Sequence, residues 1–373
     1  MGNLRKDLLK GNDIAVYFGT FAPLHKGHRD IINKAKRLHD GVVVITSGYE
    51  DDRGCLIGLN LNKRFRYLRE TYADDDLVYV AKLDETGMPP MPNGWDTWTK
   101  DLLDISLNSI ADKDAKLTFY VGEIEYVTEL TNRIPEKYEV SLMDRCIVSI
   151  SATEIRNNPL KHWDKISRVY RRHFSKNILI VGSASGGKTT LVKDLARFFE
   201  SPFSLEYARS YQEKYNVNDS ELDIWDYLRL LQGQYTQTGN IINSPSNNGL
   251  VFADTNSTVT DVYGEYDLSS EDYSNTFKPM VSQLAEQEKW DLILVIPPVT
   301  KYVDDGFRNM NQSDEDFRWE FHNKLMDKLI RNGWEDKIVV LDRKPTEKDP
   351  QGFYNRYEQA KEEIVTRFKL NEL

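Results

Sequence analysis

Eight residues near the middle of the chain, Gly182-Ser183-Ala184-Ser185-Gly186-Gly187-Lys188-Thr189, carry the groups that a polyphosphate needs. Glycines let the backbone turn so that successive amides point inward at phosphate oxygens. The Lys188 ammonium then reaches the β- and γ-phosphates, and the Thr189 hydroxyl is a hard ligand for Mg²⁺. An incidental glycine turn would lack the flanks seen here. The apolar run Ile178-Leu179-Ile180-Val181 precedes it, and a helical pattern from Lys188 to Phe199 follows. Strand, loop and helix in that order make a P-loop, a site for a nucleoside triphosphate, with Thr190 next along the helix.

A second constellation lies far upstream. His25-Lys26-Gly27-His28 follows a strand-like run, Ile14 to Phe18, and opens a helical pattern that continues to about Leu38. Gly27 lets the backbone approach a phosphate, and His28 donates beside the positive end of the helix. Gly19, Phe21 and Pro23 bracket the pair. A lone histidine pair is usually structural or incidental; metal binding is a second alternative, but no acidic or cysteine partner lies nearby in sequence. Further on, Ile150-Ser151-Ala152-Thr153-Glu154-Ile155-Arg156 offers Ser151 or Thr153 as a helix cap with free amides, and Arg156 as a charge-assisted clamp.

The surrounding pattern supplies the elements that hold these groups. Strand-like runs at Val42–Ile45, Leu77–Ala81, Leu117–Val121 and Tyr138–Leu142 alternate with helical ones at Asn60–Glu70 and Trp95–Ile110. The Asn60–Glu70 segment is basic on one side through Lys63, Arg64, Arg66 and Arg69. Beyond the P-loop, strands are expected at Phe203–Glu206, Leu250–Ala253, Leu292–Ile296 and Ile338–Leu341. Helices are expected at Leu222–Ile242, Asp314–Ile330 and Gln351–Phe368. Alternation of this kind predicts an α/β protein with mainly parallel sheets covered on both faces. A P-loop normally opens its domain, yet well over a hundred residues precede this one. Two domains follow, 1–170 and 171–373, joined through the basic stretch Arg156–Lys176. Its charges (Lys161, Lys165, Arg168, Arg171, Arg172) read as a solvated helical face.

The bulk numbers narrow the setting. A chain of 373 residues with net charge −10 does not suit nonspecific nucleic-acid binding. Two cysteines, Cys55 and Cys146, give neither a disulfide framework nor a zinc set, which fits a reducing cytoplasm. The N-terminus shows no signal-peptide core, and no apolar run approaches the length of a membrane span. The sequence expects small-molecule partners, no nucleic acid and no membrane insertion; a homo-oligomer is compatible with it.

The string from Gly19 to His28 resembles the G-x-F-x-P-x-H-x-G-H signature of the nucleotidyltransferase superfamily, and Ile150–Arg156 resembles its second signature, I-S-x-T-x-x-R. The segment Pro92-Asn93-Gly94-Trp95-Asp96-Thr97-Trp98 resembles that of NadR-type proteins, which fuse a nicotinamide-mononucleotide (NMN) adenylyltransferase to a P-loop nicotinamide riboside kinase. The likeness runs from about Ile14 to Phe368. It implies a Rossmann-like nucleotidyltransferase domain followed by a kinase domain. Nicotinamide riboside would become NMN and NMN would become NAD, with ATP as substrate in both steps and Mg²⁺ as cofactor. Two indoles three residues apart at a helix start would offer a cationic nicotinamide ring a stacking face; two core tryptophans are the alternative.

The same resemblance assigns the kinase groups. In Glu206-Tyr207-Ala208-Arg209, Glu206 would take the acceptor's proton, with Tyr207 and Arg209 contacting substrate. Asp254 ends an apolar strand as a metal-holding Walker-B residue. Asp254-Thr255-Asn256 departs from the family's Asp-Thr-Asp at Asn256, so the base stays open between Glu206 and Asp254. Val303–Arg308 resembles a lid whose Arg308 neutralises the transferring phosphoryl group. Gly186 stands where relatives often carry serine. Only about a dozen residues precede the first strand, too few for the helix-turn-helix domain of some relatives, so repression is not expected. The rival readings are a nucleotide-sensing regulator with little turnover and a fusion acting on other substrates.

Overall fold

A computed structural model of the chain describes residues 7–143, 150–302 and 314–372. They form two compact units that divide between His173 and Phe174. In the first unit, strands β1 (Asp13–Gly19), β2 (Gly41–Gly48), β3 (Val78–Asp84), β4 (Lys116–Val121) and β5 (Glu139–Leu142) lie in the order β3-β2-β1-β4-β5. All four neighbouring pairs are parallel. The helices are α1 (Lys26–Leu38), α2 (Leu61–Thr71), α3 (Trp95–Asn108), α4 (Ile124–Thr131), α5 (Ala152–Asn157) and α6 (Arg168–Phe174). β2 is buried along its whole length, which is why its run of Val and Ile reads as continuously apolar. One core layer gathers Val16, Val43, Ile45 and Phe119 from the sheet with Leu102, Trp95 and Trp98 from α3. The strand order reverses at β1, between β2 and β4, and open parallel sheets bind ligands at such a point.

The second unit repeats the principle with a different order. Strands β6 (Lys176–Gly182), β7 (Phe203–Ser204), β8 (Leu250–Asp254), β9 (Leu292–Ile296) and β10 (Ile338–Val340) run β10-β9-β6-β8-β7, again all parallel. The helices are α7 (Lys188–Phe198), α8 (Tyr207–Tyr215), α9 (Ile224–Ile242), α10 (Ser257–Asp267), the single turn α11 (Ser270–Asp272), α12 (Lys278–Ala285), α13 (Glu315–Arg331) and α14 (Phe353–Arg367). Residues of α7 and α14 cover one face of the sheet, and residues of α10 and α13 the other. No described helix is long and apolar enough to cross a membrane.

Several expectations change. Strand β7 is two residues long, because the chain leaves the sheet at once to begin α8. α4, α8, α10 and α12 are additional to the expected helices. α10 is rich in β-branched residues of low helix propensity, and the burial of Val259 and Val262 overrides that preference. Arg64 does not belong to a basic face, since it is fully buried. Nor are Arg171 and Arg172 simply solvated: both are half-buried, Arg171 over the Trp163 ring and Arg172 over Tyr67 at 4.1 Å.

Candidate active sites

A cavity of about 310 Å³ in the first unit, lined from β1, β2 and the turn after β4, brings both upstream motifs together. Gly19, Phe21, His25, Gly27 and His28 line one side, and Ser151, Thr153 and Arg156 the other. The His25 and His28 rings stack at 3.7 Å, and Phe21 meets His28 edge-on at 5.0 Å. Phe21 holds a positive φ of 48°, an uncommon value for a bulky residue and one that marks functional loops. Ser151, rather than Thr153, caps α5: its hydroxyl accepts from the Glu154 amide, and Glu154 returns to the Ser151 amide in a capping box. Thr153 instead accepts from Arg156, whose other arm donates to the Ala22 carbonyl at 2.8 Å. Arg156 thereby ties the second motif to the first.

Arg53 also lines this cavity and had no motif to announce it. It donates to Thr20 Oγ1 at 2.9 Å, and its charge adds to burial in lowering the Arg156 pKa. Two guanidinium groups on one cavity suit a polyphosphate. The Arg53 loop is held by a buried clasp in which Arg64 grips Asp52 with both arms, at 3.0 and 2.5 Å. Burial alone would raise the Asp52 carboxyl; hydrogen bonds from Arg64 and the Cys55 and Gly54 amides hold it below the ordinary value. A Cβ at Gly48 or Gly54 would fall 2.1 or 1.8 Å from an Arg64 nitrogen, so the clasp requires glycine at both positions.

Trp95 and Trp98 are each 3% exposed and meet edge-on at 5.8 Å, with Tyr126 against both. Trp95 packs in the core. Trp98 is core and wall at once: it lines a neighbouring cavity with Tyr49, Glu85 and Met88, and its Nε1 donates to Glu85 Oε1 at 2.9 Å. Asn93 is exposed in the turn before α3.

In the second unit the P-loop joins β6 to α7. Gly182 (φ 154°) and Gly187 (φ 83°) are needed there, since a Cβ would come within 2.5 Å of the Ile296 carbonyl and 2.8 Å of the Phe353 ring. Ser185 also takes a left-handed φ of 59°, and Gly186 is buried beside it. Lys188 is 7% exposed and donates to the Ser183 carbonyl at 3.0 Å, folded along the loop it serves. Thr189 donates to Asp254 Oδ2 at 2.5 Å, while Thr190 is exposed one position on. Arg318, unannounced by any pattern, props the loop from α13 by donating to the carbonyls of Ala184 and Thr300. Thr300 in turn donates to the Ser185 carbonyl.

Thr255, next along the chain from Asp254, lines a tight cavity of about 60 Å³ whose wall also includes Glu206, Arg209, Asp219, Tyr227 and Asp267. Two glutamines of α9 position its rim: Gln234 accepts from the Tyr207 amide at 2.7 Å, and Gln237 donates to the Leu205 carbonyl at 2.6 Å. The Tyr207 ring lies on Gly233, where a Cβ would sit 2.1 Å from it, so Tyr207 packs on α9 and Glu206 and Arg209 form the wall. Burial raises the Asp267 carboxyl; the Tyr227 hydroxyl donates to it at 2.5 Å, and the Asp219 charge pushes it further up. Asn256 caps α10 and donates to the half-buried Glu288 at 2.8 Å. A carboxylate at position 256 would face another carboxylate, which accounts for the amide. Arg308 and the rest of Val303–Arg308 lie outside the described residues.

The Thr189 hydroxyl and Asp254 carboxylate form a hard oxygen pair that fits Mg²⁺. Among the described residues no group of three or more His, Cys, Asp or Glu could hold a metal, so an ion here would draw its other ligands from phosphate and water.

A cytidylyltransferase-like family model matches residues 16–158, and an AAA-domain model matches residues 177–347. The NadR protein crystallised with NR is 46% identical, with a TM-score of 0.88 over 97% of this chain and 98% of that one. The NadR protein crystallised with NAD and AMP-PNP is 45% identical over the same shares, with a TM-score of 0.86. The trifunctional NAD biosynthesis/regulator protein NadR of Salmonella typhimurium is 27% identical over 87% of this chain and 78% of its own length. Its Escherichia coli counterpart is 28% identical over 86% and 77%. With nearly the whole chain covered at that identity and two phosphate-binding constellations in the matching units, this chain belongs to the NadR family.

Proposed function

We infer that the chain salvages nicotinamide riboside to NAD in two ATP-dependent steps, one in each unit. The second unit phosphorylates the riboside to NMN, and the first transfers the adenylyl group of ATP to NMN with release of pyrophosphate. The observation that carries the reading is a pair of side-chain constellations suited to phosphate, each at the strand-end loops of its own parallel sheet. The NR and the NAD with AMP-PNP bound by the two similar NadR proteins support the choice of substrates.

In the kinase step the 5′-hydroxyl of the riboside attacks the γ-phosphate of ATP. Glu206 takes that proton, because it lines the acceptor cavity, while fully buried Asp254 accepts the Thr189 hydroxyl instead. Lys188 leaves the Ser183 carbonyl for the β- and γ-phosphates, and the P-loop amides hold the polyphosphate. Thr189 and Asp254 would hold Mg²⁺, which would supply charge neutralisation on the phosphate oxygens. Asp219 and Asp267 give the acceptor cavity an acidic end suited to the cationic nicotinamide ring.

In the adenylyl step an NMN phosphate oxygen attacks the α-phosphate, and the bond to pyrophosphate breaks. No group of the chain is covalently modified. His25, His28, Arg53 and Arg156 surround the triphosphate and neutralise the charge that builds on the leaving pyrophosphate. Trp98 forms part of the NMN wall. ATP-consuming salvage and the free thiol of Cys55 both fit the reducing cytoplasm. Incubating the purified chain with nicotinamide riboside, ATP and Mg²⁺, and following products by mass spectrometry, tests the reading. NMN and then NAD are expected; binding without turnover would make the chain a sensor instead.

A further inference from the structure

Thr255 sits in a conformation that its own side chain opposes. Its φ is +80°, a left-handed value that β-branched residues avoid. It is 5% exposed, and its Oγ1 is a buried hydroxyl with no hydrogen-bond partner among the described residues. Such groups are rare in folded proteins, and together with backbone strain they mark sites where a ligand completes the bonding.

The residues around Thr255 hold this turn in place. The Thr255 amide donates to the Ile180 carbonyl at 3.3 Å. Asp254 on one side accepts from Thr189, and Asn256 on the other donates to Glu288. The Ser257 amide also donates to Glu288. These anchors do not engage the Thr255 hydroxyl, and Thr255 belongs to the wall of the acceptor cavity with Glu206 and Asp267.

We propose that Thr255 Oγ1 is a specificity contact for a ribose hydroxyl of the acceptor, and that the left-handed turn exists to present it. The proposal rests on the kinase reading given above. Its choice of the sugar follows from position. Thr255 adjoins Asp254, at the phosphoryl-transfer end, and the sugar is the part of a riboside that adjoins the reacting 5′-oxygen. The acidic end formed by Asp219 and Asp267 is left for the base.

The test is riboside phosphorylation by the full chain and its Thr255→Val and Thr255→Ser variants, using nicotinamide riboside and its 2′-deoxy and 3′-deoxy analogues. Valine keeps the shape and removes only the hydroxyl. A neutral hydrogen bond predicts a three- to tenfold loss of kcat/KM for Thr255→Val, with serine close to wild type. One deoxy analogue should cost the wild type a similar factor and cost Thr255→Val almost nothing more, since both remove the same bond. The melting temperature of the valine variant should not fall, and NMN adenylylation should be unchanged. Wild-type kcat/KM in Thr255→Val, or losses that multiply independently for both analogues, would overturn the contact. A serine variant as impaired as valine in a folded protein would overturn it too, by making the residue's role one of shape. If the wild-type chain leaves the riboside untouched but adenylylates NMN, the kinase reading fails, and this contact fails with it.

Discussion

The Thr189 hydroxyl donates to Asp254 Oδ2 across 2.5 Å, joining the first turn of α7 to the end of β8. The two residues are 65 positions apart, and the sheet order that makes β6 and β8 neighbours brings them together. Asp254→Asn keeps the size of the side chain and removes its charge. Riboside phosphorylation should fall by about 10²–10³, the usual loss when one preorganised electrostatic contact goes. NMN adenylylation and the thermal melt report whether the fold survives.

The two chemistries should separate. Lys188→Ala removes the cation folded along the P-loop, so NMN formation should drop by about 10²–10³ while supplied NMN is still converted to NAD. His28→Ala should do the converse, with NMN accumulating from riboside. Loss of adenylylation in a folded Lys188→Ala protein would mean one composite site.

Breaking the Arg64–Asp52 clasp should be costly. Asp52→Ala leaves a fully buried guanidinium without its carboxylate, a change worth about 3–5 kcal/mol. The Arg53 loop would loosen with it. A lower melting transition with impaired NMN adenylylation is expected, and calorimetry with an NMN assay checks both. Arg53→Ala should impair the same reaction without the loss of stability.

At the proposed NMN wall, alanine is a poor probe. Each indole is 3% exposed, so Trp95→Ala or Trp98→Ala opens a core cavity costing about 3–5 kcal/mol. Trp98→Phe keeps an aromatic ring and removes the donor to Glu85. It should raise the KM for NMN severalfold with little change in the KM for ATP; an unchanged NMN KM would return Trp98 to the core.

Asp267 gives the acceptor step a pH signature. Burial, with the Asp219 charge adding to it, raises its carboxyl above the ordinary aspartate range. A raised carboxylate binds its proton more tightly folded than unfolded. Its ionised form therefore opposes folding above the folded pKa, and that penalty fades as pH falls through it. Binding runs the other way: attraction for a cationic ring is present when Asp267 is ionised and is lost as it protonates. The preference for nicotinamide riboside over a neutral nucleoside should decline on acidification, beginning above the ordinary aspartate range. Asp267→Asn should flatten the part of that decline that Asp267 contributes, measured as a ratio of kcat/KM values.

Local sequence determined the P-loop, the two upstream motifs and the alternation of strand and helix, because each depends on residues within one turn or one strand. The Gly182–Thr189 backbone follows from glycine placement, and the apolar strands follow from burial on both faces. Whatever depended on distant partners only the tertiary structure decided. Arg53 lines the cavity on a loop that Arg64, eleven positions on, holds by gripping the adjacent Asp52. Arg318 supports the P-loop from a helix more than a hundred residues away. Asn256 departs from the carboxylate that the resemblance expects, and its amide donates to Glu288, where a second carboxylate would face the first. Thr255 is conspicuous only once its φ and its unbonded hydroxyl are known. Sequence spacing carries covalent proximity, whereas compensation between buried polar groups depends on which side chains folding brings within hydrogen-bond reach.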